Sequence, residues 1–314
     1  MTSCISAVKT ARHQALLFAS REQFLDGVVP FMREGVELGE AVLAVVQAAR
    51  LPTVLEALGP AVDAVRLAES EVWHARPAVG FARLCDFVRD AAKSGARVLI
   101  EPPFGERPEQ VAELGMLEVG THLVLGAPPA RVICAYDTRS WPPPVARLVR
   151  RTHPEIIEDG ARCDSLAFTP ATTLLAEQRA GPPLPEPAGP VAELRFPFEA
   201  RQLRRFVHEQ ADAAGLSPDR VEDLVVAVQE VTLNALVYAS FAEVRWWRQD
   251  SRVVCEVGDH GVGMDGQLAG CLPPWHPASA GGGLWLARQL VDLLELRSGA
   301  DGTVVRLHMN SGRL

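Results

Sequence analysis

The sequence lacks any apolar run long enough to cross a bilayer, and its start, MTSCISAVKTARHQ, lacks the continuous apolar stretch of a secretory signal. We therefore expect a cytoplasmic protein with no membrane association. A basic excess is also missing, because the 314 residues carry a formal net charge of −8. Such a chain offers no basic face to neutralise a phosphate backbone, so direct nucleic-acid binding is not expected.

Cysteine pairs at metal-binding spacing are absent as well. The six cysteines are scattered along the chain and include no C-x-x-C pair. This spacing argues against a zinc site and against a disulfide framework. Most of the thiols are expected to be reduced and without a functional role, with Cys134 as the one exception considered below.

Length and proline content divide the chain. A chain of 314 residues exceeds what one hydrophobic core usually organises, and 48% hydrophobic residues indicate folded domains. Residues 180–190, AGPPLPEPAGP, contain five prolines in eleven positions, which favours a semi-stiff linker. We predict an amino-terminal domain over residues 1–170, a proline-rich linker over 171–192 and a second domain over 193–314.

Both domains are predicted to be of the α/β class. Before the linker, apolar segments alternate with helical patterns, which is typical of an α/β fold with a mainly parallel sheet. After the linker, the periodicity predicts helix, helix, strand, strand, helix, strand, strand. The predicted elements are helices over 201–214, from Pro218 onwards and over 284–294, a hairpin of strands 244–249 and 252–257, and final strands near Leu296 and over 304–309.

The second predicted helix carries a carboxylate and an amide on one face. Glu230 and Asn234 are four residues apart and lie close to the edge of an apolar stripe. An amide oxygen suits Mg²⁺, and a carboxylate can orient or deprotonate a hydroxyl group. By itself such a pair is more often solvated surface.

Two glycine motifs follow. Asp259-x-Gly261-x-Gly263 comes directly after a predicted strand, where the aspartate could accept a hydrogen bond from an adenine amino group. Gly281-Gly282-Gly283-Leu284 precedes a predicted helix, whose free amides would suit phosphate. A simple turn and a flexible loop are the alternative interpretations of the two motifs, and neither motif is a P-loop or a dinucleotide fingerprint.

The order of these three motifs resembles that of the GHKL ATPase family, and within it the anti-sigma regulatory factor serine kinases. The resemblance covers nearly all of residues 193–314 and implies a Bergerat-type α/β sandwich that binds ATP and Mg²⁺. It implies Glu230 as general base, Asn234 as the Mg²⁺ ligand and Asp259 as the adenine reader. The remaining implied ATP-binding residues are Gly261, Gly263, Gly281, Gly282, Gly283, Leu284 and Thr303.

The resemblance implies a protein serine/threonine kinase whose partner is a sigma factor or an anti-anti-sigma protein, and relatives often form homodimers. Three positions depart from the pattern of many relatives, namely Gln229, Tyr238 and Ala239. These departures keep open a non-catalytic, nucleotide-gated partner-binding module. A sensor histidine kinase is a further alternative, but the short, proline-rich segment before the ATPase does not suit the helical hairpin that it requires.

The amino-terminal part resembles the MEDS sensory domain from His13 to about Phe168. The resemblance is carried by HQALLF at 13–18, by Glu101-Pro102, by Cys134-Ala135-Tyr136-Asp137 and by His153-Pro154. It implies a domain that senses a small molecule. His13, Glu101, Cys134 and His153 are the candidate sensory site, because such folds place ligands at one end of a parallel sheet. Taken singly, each of them is more often a structural residue.

Overall fold

The computed structural model describes residues 13–103, 107–125, 130–197, 199–264, 270–277, 279 and 282–311. These residues form two compact units. The first unit contains the chain up to Trp73 together with residues 84–104 and 121–169, and the second contains residues 74–83, 105–120 and 170 onwards. No helix of the described part combines the length and the apolarity needed to cross a membrane.

The first unit is built on a seven-stranded sheet in the order β3-β2-β4-β5-β1-β6-β7. Every neighbouring pair is parallel except β6 with β7. The apolar runs of the sequence predict a mainly parallel sheet. Such a sheet is covered on both faces, so its strands lack the alternation of polar and apolar residues. The elements up to the linker are β1 His13–Phe18, α1 Arg21–Glu37, β2 Ala41–Val46, α2 Leu51–Leu58, β3 Val65–Glu69, α3 Ser70–Trp73, α4 Pro77–Asp90, β4 Ala96–Ile100, α5 Pro108–Val124, β5 Ala130–Asp137, α6 Pro143–Thr152, β6 Glu155–Glu158 and β7 Ala161–Asp164.

The second unit contains a five-stranded antiparallel sheet in the order β11-β12-β10-β9-β8. Its helices contribute one apolar face to a single core with the sheet, so the predicted mixed α/β architecture is confirmed for both units. The elements are α7 Ala171–Arg179, β8 Ala192–Arg195, α8 Ala200–Ala213, α9 Pro218–Ala239, β9 Glu243–Gln249, β10 Arg252–Gly258, α10 Gly283–Leu290, β11 Leu293–Gly299 and β12 Gly302–Asn310.

The helix predicted over 284–294 is shorter than expected. It ends at Leu290, and Leu294 belongs to β11 instead. Arg220 of α9 explains the early end, because its guanidinium donates to the Leu290 carbonyl at 3.1 Å and to the Asp292 carboxylate at 2.6 Å. The final carbonyl of the helix is thus satisfied by a side chain.

The proline-rich residues 181–190 contain no helix or strand, and they are hydrogen-bonded to two strands of the second unit, β11 and β12. Arg297 donates to the Pro182 carbonyl at 3.1 Å, and Arg306 donates to the Pro185 carbonyl at 2.7 Å. Proline has no amide hydrogen but keeps its carbonyl, so these arginines bind the groups that the segment can still offer.

A buried ion pair links two helices of the second unit. Arg288 of α10 donates to Glu113 of α5 at 2.6 Å, and both side chains are at most 6% exposed. Removal of one partner of such a pair leaves an uncompensated buried charge, which is strongly destabilising.

We expect Arg288→Met to lower the unfolding free energy by about 3–5 kcal/mol, because Glu113 then stays buried without its cation. Urea unfolding followed by circular dichroism measures this change. Arg205→Met is the matched control, since Arg205 pairs with Glu209 on the surface, and exposed pairs contribute about 0–1 kcal/mol. An equal loss of unfolding free energy in the two variants would contradict the assignment of Arg288 and Glu113 as a buried, stabilising ion pair.

Candidate functional site

The helix α9 brings Glu230 and Asn234 next to the start of α10. A Cβ atom built on Gly283 would lie 2.6 Å from Oε2 of Glu230 and 3.7 Å from Nδ2 of Asn234. A side chain at position 283 would therefore displace the Glu230 carboxylate. The first and third predicted motifs meet at this point.

Asp259 follows β10 and fixes the turn that carries the second motif. Its Oδ1 accepts hydrogen bonds from the backbone amides of Gly261 at 2.9 Å and of Thr303 at 3.1 Å. Its own amide donates to the Thr303 carbonyl at 2.9 Å. Within the described residues both carboxylate bonds use Oδ1, which leaves Oδ2 as an acceptor for a further donor.

Two glycines close this turn against the strand β12. Gly263 has φ +79°, and a Cβ on it would lie 2.4 Å from the Gly299 carbonyl oxygen. Gly302 has φ +120°, and a Cβ on it would lie 2.0 Å from the Asp259 carbonyl oxygen. Both the backbone angle and the contact exclude a side chain at these two positions.

These elements enclose a cleft of about 440 Å³, which includes its mouth open to solvent. Its floor is apolar, its polar groups come from α9 and from the Asp259 turn, and Thr303 is buried in its wall. An apolar cleft with a few convergent polar groups is typical of a cofactor pocket. It is lined by Val231, Asn234, Ala235, Tyr238, Val257, Asp259, Gly261, Val262, Gly263, Met264, Leu284, Thr303 and Val305.

The predicted phosphate cradle is described in part. Gly282 is the N-cap residue of α10 and Gly283 its first residue, and Leu284 is buried against the core. Gly281 lies outside the described residues. The first amides of an α-helix lack intrahelical acceptors, so the beginning of α10 offers donors beside Glu230 and Asn234.

Three of the four predicted sensory residues meet in the first unit. One ligand atom each of His13, Cys134 and His153 lies within 4.8 Å of the others, and all three side chains are at most 2% exposed. Burial, followed by the charge of His122, lowers the pKa of His13 to about 3, so this imidazole is neutral at pH 7.

Glu101 lies in a different group, directly after β4. Its carboxylate accepts hydrogen bonds from the Gln47 amide at 2.9 Å and from Arg50 Nε at 2.6 Å. Arg50 also donates to Asp137 at 3.0 Å, and Asp137 accepts from Arg139. The Arg139 hydrogen bonds lower the pKa of Asp137 to about 2, although burial acts in the opposite direction. The four residues therefore divide between two places.

Family models match both parts of the chain. The model of the MEDS domain, the methanogen/methylotroph DcmR sensory domain, matches residues 12–154. The model of the histidine kinase-like ATPase domain matches residues 197–309. The chain carries a MEDS domain followed by a histidine kinase-like ATPase domain. This pairing is that of a signalling regulator.

Solved structures include a similar one, whereas a search of the curated proteins gave no significant match. The similar structure contains the RsbU and RsbW domains of a Mycobacterium tuberculosis protein. The identity is 24%, over 40% of this chain and 34% of that one, with a TM-score of 0.30. The present chain thus spans about a third of the length of that chain.

The ATPase-domain cleft fits the nucleotide that this family binds. The Oδ2 atom of Asp259 is an acceptor at the apolar slot, as an adenine amino group requires. Gly283 leaves space beside Glu230 and Asn234 that a Cβ would fill. Asn234 offers the hard oxygen ligand that Mg²⁺ prefers.

Two contributors to this cleft were missed in the sequence. Ser298 accepts a hydrogen bond from the Met264 amide at 2.7 Å, and its hydroxyl lies 3.0 Å from that of Thr303. Gly302, at the start of β12, packs directly on Asp259. A glycine at the end of the Gly299-Ala300-Asp301-Gly302 turn signals its conformation, but no sequence signal places it against Asp259.

We expect Gly263→Ala to weaken binding of an ATP analogue at least tenfold, because the new Cβ would collide with the Gly299 carbonyl and open the turn. Calorimetric titration measures this loss. Gly299→Ala is the matched control, since nothing lies within 4 Å of a Cβ at that position. Binding that is unchanged in Gly263→Ala would contradict the assigned pocket.

Proposed function

We propose that this protein is a cytoplasmic signalling kinase, in which a small-molecule-sensing MEDS domain controls an ATP-dependent serine/threonine kinase of the anti-sigma-factor type. In this proposal the sensory domain covers residues 1–170, the linker 171–192 and the kinase 193–314. The partner that fits this class is a sigma factor or an anti-anti-sigma protein, with a hydroxyl group of the latter as the phosphate acceptor.

One observation carries the proposal, namely the meeting of three separate motifs around one cleft. Glu230 and Asn234 lie against Gly283. Asn234 also lines the cleft, together with Asp259 and Thr303, which are joined by a hydrogen bond. Each motif alone has an ordinary structural explanation. A general base, a hard metal ligand, an adenine acceptor and free helix amides around one slot are the set that phosphoryl transfer from ATP requires.

The roles proposed for the side chains follow from their chemistry. Asp259 would accept the adenine amino group, and Asn234 would hold Mg²⁺ together with the phosphates. Glu230 would accept the proton of the attacking hydroxyl group, because it is the carboxylate beside the helix amides. When bound, Mg²⁺ and ATP supply the phosphoryl group and neutralise its charge, so the protein needs few further catalytic side chains.

The helix α5 supports control of this site by the MEDS domain. It lies within the residues that match the MEDS model. Its residue Glu113 belongs to the second unit, where it pairs with Arg288 of α10. Because α10 begins at the glycines beside Glu230, a shift of α5 would be transmitted to the proposed phosphate donors. This supports a route from ligand sensing to phosphate transfer.

Tyr238 favours a second candidate, a nucleotide-gated module that binds its partner without transferring phosphate. This side chain lines the cleft where many related kinases carry histidine, and it is 65% exposed. Such a module would retain the ATP pocket but would not transfer phosphate to its partner. A histidine kinase is less well supported, because residues 170–197 contain a single helix of nine residues rather than a helical hairpin.

We expect Asp259→Asn to abolish ATP binding, because it replaces the acceptor that reads the adenine amino group and disturbs the bonds to Gly261 and Thr303. Calorimetry with a non-hydrolysable analogue, with and without Mg²⁺, measures this loss. Asp301→Asn is the matched control in the neighbouring exposed turn. Equal affinity in Asp259→Asn and the wild type would remove Asp259 from the pocket.

We expect Glu230→Gln to retain ATP binding and to reduce phosphate transfer by about 100-fold or more, since general-base catalysis contributes about 10²–10⁴-fold. Transfer of labelled γ-phosphate to a candidate anti-anti-sigma protein is the measurement. Glu222→Gln is the control on the same helix, where Glu222 is exposed and pairs with His208. No transfer in the wild type, with ATP binding intact, would favour the nucleotide-gated module.

A further inference from the structure

Polar donors meet on one face of the sheet of the first unit. Ala15 of β1 is the parallel partner of Cys134 in β5. Partners in a sheet point to the same face, as do residues two apart in a strand, so His13 and Cys134 project from the same side. His153 follows α6 and reaches the same place.

The distances suit a common central ion. His13 Nε2 lies 3.3 Å from Cys134 Sγ, and the His13 and His153 ring centroids are 4.1 Å apart. In tetrahedral zinc sites, a Zn–S bond of about 2.3 Å and a Zn–N bond of about 2.0 Å place sulfur and nitrogen about 3.5 Å apart. The donors are therefore already at ligand spacing.

The His153 ring is oriented as in a metal ligand. Its Nδ1 lies 2.9 Å from the Val149 carbonyl oxygen, within reach of a hydrogen bond. In the tautomer whose Nδ1–H donates to this carbonyl, the lone pair is on Nε2. Histidine ligands usually donate one ring nitrogen to a carbonyl or carboxylate in this way, which fixes the tautomer that binds the ion.

We propose that His13, Cys134 and His153 bind one divalent transition-metal ion of the Zn²⁺ class. Two imidazole nitrogens and a thiolate form a donor set that Zn²⁺ prefers over Mg²⁺ or Ca²⁺. The Cys134 thiol loses its proton to solvent when the bond to the metal forms.

His122 is a further nitrogen donor near this group. Its ring centroid is 6.2 Å from that of His13, and its buried Nδ1 has no hydrogen-bond partner among the described residues. Its position makes it a further candidate nitrogen donor beside the three proposed ligands.

The test is titration of the chelator-treated, full-length protein with Co²⁺, in the absence of nucleotide. We expect one Co²⁺ per chain and a thiolate-to-cobalt charge-transfer absorption, both removed by Zn²⁺. The Cys134→Ala variant should show neither the charge-transfer absorption nor the one bound Co²⁺ per chain. Cys85→Ala, another buried thiol of the same unit, and Cys163→Ser, an exposed thiol, should keep both.

Absence of the absorption in the wild-type protein would overturn the proposal, as would its persistence in Cys134→Ala. His153→Gln is the second variant, and it should keep a thiolate and lose at least tenfold in affinity for Co²⁺. Circular dichroism and ATP-analogue binding establish that each variant is folded. Because the titration contains no nucleotide, its failure would be distinct from a failure of the proposed kinase activity.

Discussion

The carboxylate of Asp259 organises the candidate nucleotide site, because it binds two backbone amides from different parts of the chain. One amide belongs to Gly261 in its own turn, and the other belongs to Thr303 on β12. These bonds join the turn after β10 to the neighbouring strand and fix the wall of the cleft. Close packing of these two segments also requires glycine at positions 263 and 302. Any side chain there would separate the turn after β10 from the end of the chain that contains β12.

Charged groups in the interior are paired, and the pairs connect elements that are distant in sequence. In the second unit, Arg288 and Glu113 link α10 to α5. In the first unit, the fully buried Arg97 pairs with Glu34 and Glu40 and donates to the Phe31 carbonyl. Buried ions without such partners would be costly, so each pair fixes the relative position of the elements that contribute it.

The two sites differ in how far they depend on local sequence. At the ATPase cleft, each motif is a short run, and the glycines of the second and third motifs allow the backbone to approach a neighbour. The His13, Cys134 and His153 group has no local signature, because its members are separated by 121 and 19 positions. The absence of a C-x-x-C pair argued against zinc in the sequence. That spacing rule does not apply to ligands that a sheet and a helix end bring together.

The sequence by itself determined the α/β class of both parts, both family resemblances and most of the helices and strands of the second unit. Those features follow from apolar periodicity and from glycine or proline at fixed offsets, which act over a few residues. The tertiary structure decided the early end of α10, because Arg220 binds the Leu290 carbonyl from another helix. It also separated Glu101 from the histidines and placed Gly302 on Asp259. Strand order and side-chain reach determine such contacts, and a linear pattern contains neither.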